Sequence, residues 1–294
     1  MYELPYPSPI KSMLLVAVGF ALGLGIIMYD ANSTVESQEF TSTPQFTVWL
    51  FLIGTQMALW ILTAIPLWKS LAQFRDYFAS NKREILLSSF VFVIPLILYA
   101  FVYNPDSPPL AHQRLKVILL TVLGYIIPLL SVIGIWLIQI ALRDSFKKSK
   151  TDEENIAKFL NLQMYLKRFL AIAGTIIGVA TLTTGALRNA RLALNPDLNM
   201  PPELILIYGA FFSAVLALAY LPAYATLQAK GRLLCESFLP MPSPKSEEWK
   251  NWYSKRETLE NLLNLNISTK ESCRIGAAIL APLTGGFISV FLGS

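Results

Sequence analysis

The chain has 294 residues, of which 54% are hydrophobic and only 15% charged, with a mean hydropathy of +0.50. Soluble domains carry about 25% charged residues, so this balance excludes an ordinary water-soluble domain and points to a polytopic membrane protein. Two cysteines, Cys235 and Cys273, and a single histidine, His112, exclude a disulfide framework and a structural zinc site.

The amino-terminal stretch carries Glu3 and Lys11, and the apolar run after it lacks a small-residue cleavage pattern. It reads as a retained first span, Ser12–Tyr29, rather than a removed leader. Gly19 and Gly23 sit in it at GxxxG spacing, which lets a neighbouring helix backbone approach closely. Asp30–Gln45 reads as a polar loop. Phe46–Trp68 is the second span, with Trp49 and Trp68 placed for the interface. Between Lys69 and Glu84, Leu71, Phe74 and Phe78 recur at helical spacing along a basic segment. A third span follows over Ile85–Tyr103, interrupted by Pro95. The three prolines between Asn104 and Lys116 predict an extended turn.

Val117–Leu142 is the longest run without an ionisable side chain. Its 26 residues reach about 39 Å as a helix, against a hydrocarbon core of about 30 Å. In Arg143–Arg168, Thr151 and Glu154 are spaced as a capping box, and Ile156, Phe159, Leu160 and Met164 form one face of the helix they start. That helix runs on into a fifth span, Phe169–Leu187. Its stripe of Ala171, Gly174, Gly178, Thr181 and Gly185 is the clearest helix-packing signal in the chain. Arg188–Glu203 reads as a loop and Leu204–Leu227 as the sixth span. Gln228–Arg274 then supplies a linker and a helix started by Ser246, with Glu247 and Glu248 in its first turn. Trp249, Trp252, Tyr253, Leu259, Leu262 and Leu263 mark its apolar face. Ile275–Gly293 is apolar with Pro282, Gly285 and Gly286 at its centre. It is expected to cross, the alternative being a re-entrant hairpin shielded by other helices.

The expected fold class is therefore all-α: a membrane helix bundle of six spans plus a C-terminal seventh span or hairpin, with short amphipathic cytoplasmic helices. Residues 1–228 form the six-span domain, 229–274 the linker and amphipathic helix, and 275–294 the last hydrophobic segment. With the N-terminus inside, 20 of the 24 Lys and Arg fall on the cytoplasmic face and 4 outside. The acids divide 13 to 6, giving net charges of +7 and −2. That asymmetry predicts orientation in the plasma (inner) membrane and explains the net charge of +5 through anionic lipid, with no nucleic acid needed.

No acid, Lys, Arg or His lies within the apolar segments, which argues against proton-coupled transport. No H-E-x-x-H, G-x-S-x-G or P-loop pattern occurs, so no enzymatic activity, catalytic residue, cofactor or metal is expected. Gln56, mid-span, and Gln139 are the candidate polar lining groups. Arg188 and Arg191 lie one turn apart just outside the fifth span, where ordinary interfacial anchoring is the favoured reading and binding of a phosphate or an anionic headgroup the alternative. Trp249, Trp252, Tyr253, Leu259 and Leu262 suit docking on a partner or on the membrane surface. The expected function is a self-associating membrane protein that alters permeability, channel-like and gated through its cytoplasmic helices. The small-residue faces, Gly19 and Gly23 among them, would then supply helix or oligomer contacts. The alternatives are a scaffold holding a cytoplasmic protein partner through 143–168 and 229–274, and a carrier for an uncharged or lipidic solute.

Overall fold

The computed structural model describes residues 8–87, 89, 90, 92, 94, 109–144, 152–243, 249–266 and 268–292, and helix is the only regular structure among them. In chain order α1 is Pro9–Met28, α2 Val35–Ser42, α3 Pro44–Ala72, α4 Arg75–Ser80 and α5 Gln113–Asp144. There follow α6 Asp152–Leu194, α7 Glu203–Phe238, α8 Trp249–Leu262 and α9 Thr269–Phe291. Six of these, α1, α3, α5, α6, α7 and α9, are long and apolar enough to cross a membrane, as a multi-pass membrane protein requires. The third predicted span, 85–103, falls largely outside the described residues; positions 85–87, 89, 90, 92 and 94 are helical. Thr151, Ser246, Glu247 and Glu248 also lie outside them.

Several boundaries differ from the sequence reading, each for a local reason. The predicted loop after α1 contains α2, because Thr34 and Ser37 cap one another. The Ser37 N–H donates to Thr34 Oγ1 at 3.1 Å, and the Thr34 N–H donates to Ser37 Oγ at 2.9 Å. Phe40 of α2 is buried edge-on against Phe46, with ring centroids 5.2 Å apart, which seats the short helix on the start of α3. At the other end of α3 the helix runs to Ala72 before α4, and Phe74 between them is buried against Tyr165 and Phe169. The predicted loop beginning at Arg188 starts only at Asn195, because no breaker precedes Pro196. The last apolar segment is one unbroken helix from Thr269 to Phe291, capped by Ser268, whose hydroxyl accepts from the Glu271 N–H at 3.2 Å. A re-entrant hairpin is thus not formed over 269–291.

α6 is the hub: α3, α5, α7 and α9 all pack on it, while α1 packs on α3. Its 43 residues extend about 64 Å, twice the hydrocarbon thickness, so one end projects well beyond the membrane. Glycines set the closest approaches. A Cβ on Gly19 would lie 2.7 Å from the Ala58 Cα, and one on Gly23 would lie 2.9 Å from the Gly54 Cα. Gly174 and Gly178 give the same intimacy to α9, meeting the backbone at Ala278 and Ala281. Such contact replaces lipid by protein without any hydrophobic gain and is held by dispersion alone. Pro282 leaves a gap in the α9 hydrogen-bond ladder. There Ser213 Oγ of α7 accepts the Leu283 N–H at 3.3 Å, and Gly209 lies against the Pro282 carbonyl.

Side-chain ties define the two ends of the bundle. At one end Lys116 of α5 reaches the end of α1, Asn189 Nδ2 of α6 donates to the Ser289 carbonyl of α9 at 2.9 Å, and Arg188 Nε donates to the Met200 carbonyl ahead of α7. At the other end Gln163 of α6 donates to the carbonyls of Leu263 and Asn264 after α8, and Lys167 pairs with Glu271 of α9.

Candidate functional site

The physical chemistry of α6 divides its C-terminal half into two faces. Gly174, Gly178, Thr181 and Gly185 repeat every three or four residues; the three glycines lie against α9, and Thr181 is fully buried. Turned from that stripe, Ile177, Ala180, Thr184, Leu187, Arg188 and Arg191 recur along a second face, which borders open space among the described residues. They line a cavity of about 400 Å³, walled on its other sides by α3, α5 and the start of α7. Cavities of about 300–1,000 Å³ with mostly apolar walls are the usual form of small-molecule sites.

The inner end of this cavity is aromatic. Tyr125, Tyr208, Phe92 and Phe212 line it, and Phe212 meets Tyr208 at 4.7 Å, Tyr125 at 5.6 Å and Phe92 at 5.5 Å between centroids, all edge to face. Trp49, Ile53 and Gln56 supply the α3 wall. On the α5 wall, Pro128 has no N–H for the Gly124 carbonyl, and both residues face the cavity. Gly124 makes room there: a Cβ on it would lie 2.8 Å from the Trp60 ring and 3.3 Å from Gln56 Nε2.

The polar end is cationic. Arg188 is held in place, since its Nε donates to the Met200 carbonyl and its Nη1 to Asn189 Oδ1 at 3.1 Å. Arg191 is only 8% exposed, and its Nε has no hydrogen-bond partner. Asn199, Met200 and Pro201 of the α6–α7 connection close this end of the lining. No carboxylate lines the cavity among the described residues, and the nearby acids, Asp197 of that connection and Glu203 at the start of α7, are exposed.

The structure distributes the sequence-predicted residues as follows. Gln56 lines the cavity and is buried; Gln139, in the C-terminal half of α5, does not line it. Ala171, Gly174, Gly178, Thr181 and Gly185 lie along α6, the three glycines against α9, and Gly19 and Gly23 lie on α3. Trp249 and Trp252 are half-buried, their indoles donating to the carbonyls of Ser243 at 2.9 Å and Leu239 at 3.1 Å. Leu259 is half-buried, and Tyr253 and Leu262 are exposed. The hydroxyls of Ser131, Thr181 and Thr183 bond back to their own helix, at 2.9, 2.9 and 2.8 Å.

The cavity itself escapes a reading of spans one at a time, because four helices and a connection build it. Its arginines were legible as a pair that could meet an anion, but not as part of a cavity. Once α6 is followed to its first breaker at Pro196, Arg188 and Arg191 join the register of Ile177, Ala180 and Thr184, and that continuity is the signal that marks them. No family model, curated protein or solved structure matches this chain.

Proposed function

We propose that this is a non-enzymatic membrane protein whose working part is the cavity between α3, α5, α6 and α7, where it takes a largely apolar ligand from the lipid as a carrier or receptor. The carrying observation is the mostly apolar volume of about 400 Å³ within a bundle whose α1–α3 and α6–α9 contacts are close enough to exclude a methyl group at their glycines. Ordinary packing would close such a space, as it closes the α6–α9 contact. The N-terminus and the docked α8 face the cytoplasm in this reading, and the cavity lies in the outer half of the plasma (inner) membrane. The lopsided distribution of Lys and Arg supports that orientation.

The test is photolabelling of the purified chain in zwitterionic nanodiscs with a neutral diazirine-bearing long-chain alcohol, mapped by peptide mass spectrometry. Saturable adducts on the cavity face of α6 that Ala180→Trp suppresses are the expected result. Adducts spread evenly over lipid-facing residues such as Leu218 and Ile207, unchanged by Ala180→Trp, would refute a ligand site there.

A self-associating, channel-like protein is the second reading, and the uncharged spans and the polar lining group Gln56 favour it. The small-residue faces favour it less, because their glycines already lie against helices of the same chain. Bilayer conductance together with a defined oligomer in detergent would establish it over the carrier reading. A third possibility, a cytoplasmic scaffold, draws on the exposed Tyr253 and Leu262 of α8 and calls for a stoichiometric partner on affinity purification.

A further inference from the structure

We infer that the ligand of this cavity is an anionic amphiphile, an alkyl chain ending in a carboxylate or phosphate, with Arg191 as the headgroup partner. The inference rests on the ligand-site reading above and names the class of molecule that site takes.

A guanidinium offers five N–H donors in a planar fork that matches two oxygens of a carboxylate or phosphate. Arg191 is more than nine-tenths buried, makes no ion pair among the described residues and leaves Nε without an acceptor. A buried cation without a partner costs several kcal/mol, and proteins place one only where a counter-charge or an acceptor meets it. Among the described residues neither is present at Nε. Arg188, by contrast, is tied to Met200 and Asn189, so its charge is fixed at the cavity mouth while its remaining N–H groups stay available. Two positive charges and no carboxylate among the described lining residues set the sign of the ligand's head.

The tail follows from the rest of the lining. Below the arginines the walls are Ile177, Leu187, Leu204 and Ile205, and then the aromatic cluster around Phe212. This gradient from charged mouth to apolar floor matches a molecule charged at one end only. A free phosphate ion would leave most of the volume unfilled, and a neutral lipid would leave Arg191 unpaired.

The experiment compares two diazirine probes of equal chain length, a fatty acid and the corresponding alcohol, on the wild-type chain in zwitterionic nanodiscs, with inorganic phosphate as competitor. The fatty acid is expected to label cavity peptides at a concentration at least about tenfold lower than the alcohol. Arg191→Gln should abolish that advantage, so that the two probes label cavity peptides at the same concentration. Phosphate at concentrations far above the probe should not displace the fatty acid, whereas an unlabelled alkyl phosphate should. Equal labelling by both probes in the wild type, or an advantage that survives Arg191→Gln, overturns the headgroup assignment while the cavity remains a ligand site. Displacement by phosphate alone overturns the amphiphile in favour of a free oxyanion. Failure of both probes to label the cavity removes the ligand site itself. If Arg191→Gln does not elute as a monodisperse peak, Arg191→Lys decides: it should keep a reduced preference for the acid, and an undiminished preference counts against the fork.

Discussion

The ammonium of Lys116, at the start of α5, donates to the Ile27 carbonyl at 3.0 Å and to the Tyr29 carbonyl, at the very end of α1. Those carbonyls belong to the last turn of α1, which has no N–H of its own left to offer them, and they form the negative end of its dipole. Lys116 is 6% exposed, so the bond ties α1, which otherwise packs on α3, to the start of α5. Lys116→Met keeps the apolar stem and removes the three donors. It should lower stability by about 1–3 kcal/mol, the cost of stranding buried acceptors. The loss is measurable as an earlier midpoint in SDS-induced unfolding from mixed micelles. Amide exchange at Ala31 and Asn32 should speed up in the same variant, while exchange across α6 stays unchanged.

The α6–α9 contact makes an opposite pair of glycine predictions. A methyl group on Gly174 would collide with the Ala278 carbonyl, which is backbone and cannot rotate away, whereas one on Gly276 meets nothing within 4 Å. Gly174→Ala should therefore destabilise by about 1–3 kcal/mol, the usual cost of overpacking. Gly276→Ala, at an open helical position, should stabilise by about 0.5–1 kcal/mol through the helix preference of alanine. Thermal unfolding in detergent reads both. Equal effects of the two substitutions would show that α9 does not sit on α6 as described.

What the sequence revealed and what it hid separate along a physical line. Spans are a property of single segments, because lipid demands about 20 apolar residues whatever the neighbours are. α1, α3, α5, α6, α7 and α9 were accordingly readable from composition. Helix-packing faces were readable too, since GxxxG spacing at Gly19 and Gly23 and the stripe ending at Gly185 are periodic patterns in one helix. Their partners were not: Gly54 and Ala58, or Ala278 and Ala281, have no mark in sequence that pairs them with those glycines. The short helix α2 was hidden because its cap uses Ser37 in place of the Glu or Gln that usually completes the box. The cavity was hidden for the converse reason. It is an absence of packing among Gln56, Tyr125, Arg191 and Phe212, which come from four separate helices.

The proposed orientation can be checked with the two native cysteines. Cys273 is exposed near the start of α9, at the end of the bundle that carries α8, whereas Cys235 is buried in α7. In right-side-out membrane vesicles a charged, membrane-impermeant maleimide should leave the chain unmodified, and permeabilisation should yield one adduct, on Cys273. Cys273→Ser should abolish it. Labelling of Cys273 before permeabilisation would place α8 and the basic connections outside and reverse the orientation.

The docking of α8 can be separated from the integrity of the bundle. Leu263, immediately after α8, is fully buried, and its carbonyl accepts from Gln163 Nε2 of α6 at 3.5 Å. Beside it Leu265 fills the space left by Gly231 of α7, against the ring of Phe159. Two helices that outrun the membrane thus form a receptacle for the turn after α8. Arg256 adds a lid to Trp252, 5.2 Å above its ring, and pairs with Glu260 at 2.9 Å. Leu263→Ala should cost about 2–5 kcal/mol of docking energy, as loss of a fully buried leucine does. That contact lies at the ends of α6 and α7 away from the cavity, so the loss should appear as local release rather than global unfolding. Limited proteolysis should cut between Ser243 and Ser268 faster in this variant, with the detergent unfolding midpoint nearly unchanged. Trp249→Glu, at the half-buried start of α8, should have a smaller effect in the same assay, because its indole bonds only to the nearby Ser243 carbonyl. A midpoint that falls in step with the proteolysis rate would mean that α8 and the bundle unfold as one unit.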